Sequence, residues 1–320
     1  MFGWQKQGRS RMARYRTALP QLSDGIFLSY VGMETDLIFN RGIDLPGFAS
    51  FPLLESDEGR DILRSYLADQ VNLAKQTGVG VLLESPTWIA NRDRSAGIGY
   101  KPEHLLKLND AAIKLMAKVR DLHGDLPTIL SAVVGPRGDA YAPANQMTAI
   151  EAENYHAEQI EVLSRTDADL ISAYTICYTE EAIGIVRASK RYDMPVAVSF
   201  TVETNGCLPT GMALKDAIEI VDEATNAGAS YFLINCAHPD HFSHILTNEP
   251  WLNRLKGVIV NASRCSHEEL DEAEQLDDGN PKELGEQLGS LHKSFPHFSI
   301  FGGCCGTDMR HMKHIASAVV

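Results

Sequence analysis

Three cysteines have the residue type and the positions needed to hold a metal ion. Cys236 lies near the end of the apolar run Ser230–Ala237, and Cys304 and Cys305 are adjacent within the glycine-rich sequence GGCCGT. Three thiolates form a soft, tetrahedral site that favours zinc, and they leave a fourth position for an outside ligand. An open position is typical of a catalytic metal and accepts the thiol of a substrate. The flanking glycines allow the tight turn that lets two adjacent residues face one ion.

Two other interpretations of these thiols stay open. A cysteine at the end of a strand is often a small buried side chain, and that interpretation is favoured for Cys177, Cys207 and Cys265. The adjacent pair Cys304 and Cys305 also fits a redox pair or a vicinal disulfide, although thiols in a reducing compartment stay mostly reduced.

A second group of ligand-type side chains follows Cys236 in the sequence HPDHFSHI. His238, His241 and His244 are spaced by three residues, which would align them on one face of a helix. Pro239 and the loop position favour a surface role or a supporting role beside the metal instead.

These side chains need a framework that brings distant strand ends together. Short β-branched runs alternate with longer segments of helical period, which is the pattern of parallel βα units. The predicted strands are Gly25–Leu28, Val79–Ser85, Thr128–Val134, Asp169–Thr175, Pro195–Val202, Ser230–Ala237, Gly257–Ala262 and Phe298–Gly303. The predicted helices are Asp57–Thr77, Pro102–Leu122, Ala149–Arg165, Thr179–Arg191, Leu214–Ala227 and Pro281–Ser294.

Eight strands that alternate with helices over this length predict a (β/α)8 barrel, also called a TIM barrel. An open parallel sheet is the alternative, but neither G-x-G-x-x-G nor G-x-x-x-x-G-K-[ST] occurs in the sequence. A barrel carries its active site at the carboxyl ends of its strands. Cys236 on the sixth strand and Cys304 with Cys305 on the eighth are therefore expected to meet at one rim.

Charge and hydropathy limit the partners of this chain. Lys plus Arg number 29 and Asp plus Glu number 42, so the formal charge is −13, which disfavours nucleic acid and anionic membrane surfaces. No apolar run approaches the roughly 20 residues of a membrane helix. Small molecules are the expected partners. The acidic stretch 268–278, EELDEAEQLDD, is expected to be a solvated face or loop without a direct role in chemistry.

The chain is expected to form one domain over residues 1–320, with residues 1–20 as a basic N-terminal arm. That arm lacks the apolar segment of a secretory signal. Six cysteines in 320 residues do not form the dense disulfide framework of a secreted scaffold, so the cytoplasm is the expected location. An amphipathic outer helix fits either solvent or a second subunit, which leaves a homo-oligomer open.

Several motifs together resemble the homocysteine S-methyltransferase family. The similarity is strongest at Asn235-Cys236 and at Gly302–Thr307, where three cysteines form the family's zinc signature. Weaker similarity runs along most of the chain. It includes Gly32–Leu37 with Arg41-Gly42, Thr87-Trp88, Gly135-Pro136 with Asp139, Phe200-Thr201 with Gly206, Leu208 and Gly211, and Asn261.

The resemblance implies a zinc-dependent methyltransferase on a TIM barrel, with Zn2+ held by Cys236, Cys304 and Cys305. A methyl group would pass from a small onium donor to the zinc-bound thiolate of homocysteine and give methionine. The donor stays open among S-methylmethionine, S-adenosylmethionine, betaine and similar compounds. Coordination to zinc removes the thiol proton, so no catalytic residue beyond the zinc site is expected.

Substrate contacts are expected at the strand ends near the cysteines. Aromatic faces stabilise an onium cation, which favours Trp88 and Tyr174, with Phe200 as a further aromatic at the rim. Nearby carboxylates would balance the donor's charge, and side chains with hydrogen-bonding groups would orient the acceptor. The carboxylate candidates are Asp36 and Glu84, and the hydrogen-bonding candidates are Thr35, Asn235 and Asn261.

The sequence departs from the family pattern where the amino acid would bind. The fourth strand of the family commonly carries a glutamate that helps to hold the amino group of homocysteine, and this chain has Tyr174 there. In the N-terminal motif, Glu34 replaces the second glycine and Asp36 replaces the usual glutamate.

Three alternatives to homocysteine methylation stay open: the same chemistry on a different thiol, a zinc hydrolase, and a thiol redox or metal-binding protein.

Overall fold

The strands of this chain close into one parallel barrel. The computed structural model describes residues 13–23, 25–124 and 126–320. The strands pair in the order β1 to β8, and β1 pairs with β8. Their bounds are β1 Phe27–Leu28, β2 Gly80–Glu84, β3 Thr128–Val134, β4 Leu170–Ile176, β5 Val196–Thr201, β6 Tyr231–Asn235, β7 Leu255–Val260 and β8 Ile300–Gly303. The predicted TIM barrel is confirmed.

Amphipathic helices cover the outside of the barrel. The long helices are α1 Asp57–Thr77, α2 Pro102–Leu122, α3 Ala149–Ser164, α4 Thr179–Arg191, α5 Leu214–Thr225, α6 Pro281–Ser294 and α7 Met309–Val319. Between β6 and β7 the described chain forms short helical turns instead, at Pro239–Phe242, Ser243–Ile245 and Pro250–Arg254. Further short helices in the loops are Pro20–Leu22, Met33–Thr35, Asp36–Asn40, Pro46–Phe48, Phe51–Glu55, Arg92–Ala96 and His267–Asp271.

Local signals set the helix ends. The Ser56 hydroxyl accepts a hydrogen bond from Gly59 N at the start of α1, and Gly78 ends that helix at φ 72°. Thr148 and Glu151 form a capping box at the start of α3. Because these signals are local, the predicted bounds of α1, α2, α4 and α6 agree with the observed bounds.

Apolar side chains fill two layers. One layer lies inside the barrel and includes Phe27, Ile129, Leu170, Tyr231 and Ile300. The larger layer lies between the sheet and the helices. Both faces of the strands are therefore buried, which explains the nearly continuous apolar runs of the sequence. Phe200, predicted to lie at the rim, belongs to the outer layer, where it is fully buried and stacks on Phe232.

The segment before β1 packs against the amino-terminal end of the barrel. Backbone amides of Arg14 and Tyr15 donate to Asp169 Oδ1 at 2.7 and 2.8 Å. Gln21 is fully buried, and its Nε2 donates to the Tyr231 hydroxyl at 3.3 Å. Residues 1–12 of the predicted arm lie outside the described residues. In the described part of the chain, every helix is too short or too polar to cross a membrane.

Candidate metal centre and substrate cavity

A cavity of about 440 Å³ opens at the carboxyl ends of the strands. Its walls come from the ends of β3, β4, β6 and β7 and from the segments after β1, β2, β3, β6, β7 and β8. This volume suits a small-molecule ligand. The cavity is lined by Cys236, Cys304 and Cys305 together. The three thiols therefore border space that a substrate can fill.

The three cysteine sulfurs lie within 4.8 Å of one another. Cys236 and Cys304 are buried, and Cys305 is partly exposed. Hydrogen bonds from Cys304 and Cys305 hold the pKa of the Cys236 thiol well below its ordinary value. Hydrogen bonding to Cys236 raises the pKa of the other two thiols well above theirs. The Cys236 thiol therefore loses its proton more readily than the other two thiols.

Backbone contacts with neighbouring strands hold both cysteine loops. Cys236 N donates to Ile259 O at 3.0 Å, and Cys304 N donates to Val260 O at 2.7 Å. Gly306 then turns the chain at φ 78°, where glycine is favoured because it has no Cβ. The turn expected from the glycines therefore occurs after the cysteine pair.

The segment after β1 packs directly on the Cys304–Cys305 loop. Gly32 lies so close that a Cβ added there would stand 2.1 Å from Cys304 O. The predicted site residue Thr35 accepts a hydrogen bond from Gly306 N at 3.1 Å and donates to Gly32 O at 2.9 Å. Thr35 also lines the cavity. Its hydroxyl thus connects two loops, in addition to facing the space that we predicted for the acceptor.

Asn235 supports Cys236 from the preceding position. Its Nδ2 donates to Cys236 Sγ at 3.2 Å and to Thr175 Oγ1 at 2.8 Å, while its Oδ1 accepts from Thr175 N at 2.9 Å. Thr175 and Cys236 adopt φ values of 61° and 52°, a region that costs non-glycine residues about 1–3 kcal/mol. The Asn235 amide therefore holds two strained residues, one of which is Cys236 itself.

Sequence reasoning did not identify His267, which contacts Cys236 from the loop after β7. His267 Nε2 bonds to Cys236 O at 2.6 Å, and Nδ1 bonds to Glu203 Oε1 at 3.1 Å. The Tyr141 ring stacks on the imidazole at 4.0 Å between centroids. Both His267 and Tyr141 line the cavity. No short motif connects these residues, since they follow different strands.

Other predicted contact residues also line the cavity. Trp88 and Tyr174 are neighbours there, because Trp88 Nε1 donates to Tyr174 O at 3.2 Å. The Arg94 guanidinium lies 4.5 Å from the centre of the Trp88 ring. Asn261 is buried in the cavity wall, and its Oδ1 has no hydrogen-bond partner among the described residues. A buried amide without a partner is costly, so this side chain is available to a ligand.

The two predicted carboxylates lie away from the cavity surface. Asp36 accepts hydrogen bonds from Arg41 Nε and Asn40 Nδ2, both at 2.9 Å, and it does not line the cavity. Glu84 is buried inside the barrel, where Oε1 accepts from Ser29 Oγ and from the Tyr174 hydroxyl, both at 2.9 Å. Burial raises the pKa of Glu84 to about 7. Glu84 therefore orients Tyr174 instead of facing the substrate space.

Glu34 is the carboxylate that enters the cavity wall beside the thiols. It is 9% exposed, accepts a hydrogen bond from Ser50 Oγ at 2.7 Å, and contacts the Tyr30 hydroxyl. Burial raises the pKa of Glu34 to about 7. Glu34 replaces a glycine of the family motif. This replacement was the sequence signal for the residue, but we interpreted it only as a departure from the family pattern.

The acidic stretch 268–278 also lies at the site. Leu270, Asp271, Ala273, Gln275, Leu276 and Asp277 form one wall of the cavity. Most of the stretch is exposed to solvent, as expected, and it borders the cavity as well. The acidic composition predicted contact with solvent alone, but the loop after β7 also folds over the strand ends.

The histidines after Cys236 do not form a ligand group. His238 accepts from Asp240 N at the start of the turn Pro239–Phe242, His241 Nε2 bonds to Arg264 O at 2.8 Å, and His244 bonds to Asn205 O. Across residues 13–23, 25–124 and 126–320, the cysteines are the one set of three ligand-type side chains that converges on a point. His244 is exposed, as a surface role predicts, whereas His238 and His241 are buried and make the contacts above instead of supporting a cysteine.

Comparison with known proteins adds to this geometry. The chain is similar to Homocysteine S-methyltransferase 3 of Arabidopsis thaliana, with 23% identity over 203 residues, which cover 60% of this chain and 58% of that relative. The alignment thus spans less than two thirds of the relative's length.

Solved structures agree on the fold. The metallated form of the homocysteine methyltransferase MmuM from Escherichia coli superposes with a TM-score of 0.70 at 18% identity, and covers 94% of this chain and 98% of its own. The oxidised form gives a TM-score of 0.72 at 19% identity with the same coverage. The sequence profile described as Homocysteine S-methyltransferase matches residues 32–319. Because that match spans most of the chain, the protein belongs to the homocysteine S-methyltransferase family.

Proposed function

We propose that this protein transfers a methyl group from a small onium donor to the thiol of homocysteine, with zinc held by Cys236, Cys304 and Cys305. The observation that carries the proposal is the convergence of three cysteine sulfurs within 4.8 Å at the wall of a substrate-sized cavity. Family membership supports the reaction class.

The residues present suit zinc. Sulfurs bound about 2.3 Å from one tetrahedral ion lie roughly 3.8 Å apart, and the observed spread of 4.8 Å or less needs only small side-chain movements. The pKa values of the Cys304 and Cys305 thiols are raised, and a bound divalent cation would favour their ionised forms. When bound, zinc supplies the positive charge that keeps an acceptor thiol in its reactive thiolate form at neutral pH.

The protein side chains then orient the reactants. The acceptor sulfur attacks the donor methyl carbon, a new carbon–sulfur bond forms, and the donor leaves as a neutral sulfide or amine with the bonding electron pair. The donor loses its positive charge during this step. The cavity must therefore attract the donor cation without binding it so strongly that loss of the charge becomes unfavourable. The aromatic side chains of Trp88, Phe39 and Tyr141 line the cavity, and an aromatic face that is free attracts such a cation by about 0.5–2 kcal/mol.

A metal analysis combined with product detection tests this proposal. We expect about one zinc per chain in the wild-type protein, loss of zinc in Cys236→Ala, and retention in Cys207→Ala, whose thiol lies outside the ligand group. Homocysteine would be incubated with S-methylmethionine, S-adenosylmethionine or betaine and examined by mass spectrometry. Methionine formed by wild type and Cys207→Ala but not Cys236→Ala supports the proposal. Bound zinc without methylation by any donor overturns the acceptor assignment.

A further inference from the structure

Glu34 places a carboxylate in the wall of the cavity that the three cysteines also line. It lies in the short helix Met33–Thr35, between Gly32, which contacts the Cys304 carbonyl, and Thr35, which accepts from Gly306 N. Both flanking contacts tie the helix to the cysteine loop. The backbone that carries Glu34 is therefore fixed relative to that loop.

The charge of Glu34 has no cationic partner among the described residues. Its carboxylate contacts are the hydroxyl groups of Tyr30 and Ser50. A buried carboxylate without a cation is costly, and the pKa raised to about 7 by burial reflects that cost. Each of its oxygens still has capacity to accept another hydrogen bond. A bound cation would remove the electrostatic penalty.

Other carboxylates at the described cavity wall differ from Glu34. Asp139, Asp271 and Asp277 are exposed. Asp139 Oδ1 accepts from two amides of its own loop, and Asp277 bonds to Ser263 Oγ and Gly279 N. Glu34 is thus the buried carboxylate of the wall in the part of the chain that the structure describes.

The kind of cation follows from position and hydrogen bonding. An onium group has no N–H or O–H to donate, so aromatic faces hold it best, and Phe39 presents one at the opening, where it is 46% exposed. An ammonium group has three donors, which suit the acceptor oxygens of Glu34. The acceptor sulfur would lie at the cysteines, next to this carboxylate.

We propose that Glu34 binds the ammonium group of the acceptor, so that this chain selects an amino thiol through the segment after β1. The inference rests on the proposed function, because it assumes that an acceptor thiol binds at the three cysteines. It assigns to Glu34 the charge that Tyr174 on β4 cannot supply. Ser50 and Tyr30 become positioning residues, since their hydroxyls aim the carboxylate.

The test compares two thiols that differ in one group. The variants are Glu34→Gln, Glu34→Asp and the control Glu58→Gln, whose side chain is exposed at the start of α1. Zinc-loaded proteins without donor are titrated with homocysteine and with mercaptobutanoate, which lacks the amino group. Zinc content and thermal midpoint are measured for every variant, so that a folding defect is detected.

We expect Glu34→Gln to weaken homocysteine binding by roughly 10- to 100-fold, because a hydrogen bond to a charged group is lost. Mercaptobutanoate binding should stay equal or improve, and Glu34→Asp should lose less than Glu34→Gln. Equal losses for both thiols, or no loss for either, would overturn the inference. If Glu34→Gln misfolds, the folded Glu34→Asp variant decides, since a shortened carboxylate must still weaken homocysteine more than mercaptobutanoate.

The same proteins separate this inference from the proposed function. Homocysteine that binds in a Glu34-dependent manner but is never methylated leaves the inference standing and overturns methyl transfer. If Glu34→Gln methylates homocysteine and its selectivity between the two thiols is unchanged, methyl transfer stands and the inference about Glu34 is overturned. A raised KM for the donor alone would assign Glu34 to the donor, through its onium centre or its own ammonium group, and overturn the acceptor assignment. A wild-type protein that binds neither thiol would overturn both.

Discussion

Asn235 donates a hydrogen bond from its side chain to the sulfur of its neighbour Cys236 at 3.2 Å. The same amide bonds twice to Thr175, whose backbone is strained at φ 61°. One side chain thus connects the end of β6, the irregular end of β4 and a proposed metal ligand. Partners of this kind orient a ligand and adjust the electron density that its sulfur offers to a metal.

Asn235→Ala should weaken zinc binding and the fold together. Loss of the amide leaves Thr175 N buried without a partner, which costs about 1–3 kcal/mol of unfolding free energy, and zinc affinity should fall roughly 10- to 100-fold. Urea denaturation and competition with a chromophoric chelator measure the two effects. The exposed Asn154 on α3 provides the control Asn154→Ala. Unchanged zinc affinity in Asn235→Ala would contradict the supporting role.

Gly32→Ala should displace the cysteine loop. The added Cβ would stand 2.1 Å from Cys304 O and 2.9 Å from Thr307 O, and backbone atoms at such distances must move. We expect zinc per chain to fall well below that of the wild type. Gly124→Ala is the matched control, because its Cβ would meet nothing within 4 Å. Similar zinc content in both variants would show that the packing at Gly32 does not hold the loop.

Glu84→Gln should change how stability depends on pH. The folded protein keeps a proton on Glu84 up to about pH 7, whereas the ordinary pKa is 4.5, so rising pH favours the unfolded chain across this interval. The difference corresponds to roughly 3 kcal/mol lost by the wild type as pH rises from 4.5 to 7. Glutamine does not titrate, and its Oε1 can still accept from Ser29 and Tyr174.

Urea denaturation of wild type and Glu84→Gln at several pH values checks that prediction. The free energy of unfolding of the wild type should decline relative to the variant as pH rises. Parallel curves for the two proteins would mean that Glu84 ionises normally in the fold.

Removal of the metal should lower thermal stability in a cysteine-dependent manner. A ligand that binds only the folded state stabilises it in proportion to the logarithm of its concentration over Kd, by about 4 kcal/mol at a thousandfold excess. A strong chelator should therefore lower the melting midpoint of the wild type, and added zinc should restore it. The Cys304→Ala midpoint should respond to neither reagent. A wild-type midpoint indifferent to chelator would argue against a bound metal.

The barrel could be predicted because its signals are local. Alternating apolar runs and amphipathic segments depend on residues within one turn or one strand, so β3 and several helices were predicted at their observed bounds. The observed β7 begins at Leu255, two residues before the predicted start, because Leu255 pairs with Phe232 across a register shift. The α7 helix was not among the predicted helices, because no strand follows it in the sequence to mark it as a crossover.

The cluster of three thiols was predictable from residue type and strand order. Cysteine is scarce and chemically distinct, and the carboxyl ends of parallel strands meet at one rim. Those two facts were sufficient to group Cys236 with Cys304 and Cys305 before their distance was known.

The remaining site depended on which way side chains point, and sequence alone does not contain that information. Asp36 and Glu84 have suitable chemistry, but a helical turn and a strand direct them away from the cavity. Glu34, Tyr141 and His267 meet the cavity from three separate loops. By itself the sequence determined the barrel and the three thiols. Only the tertiary structure decided which carboxylate accompanies them, because that depends on how loops from different strands pack together.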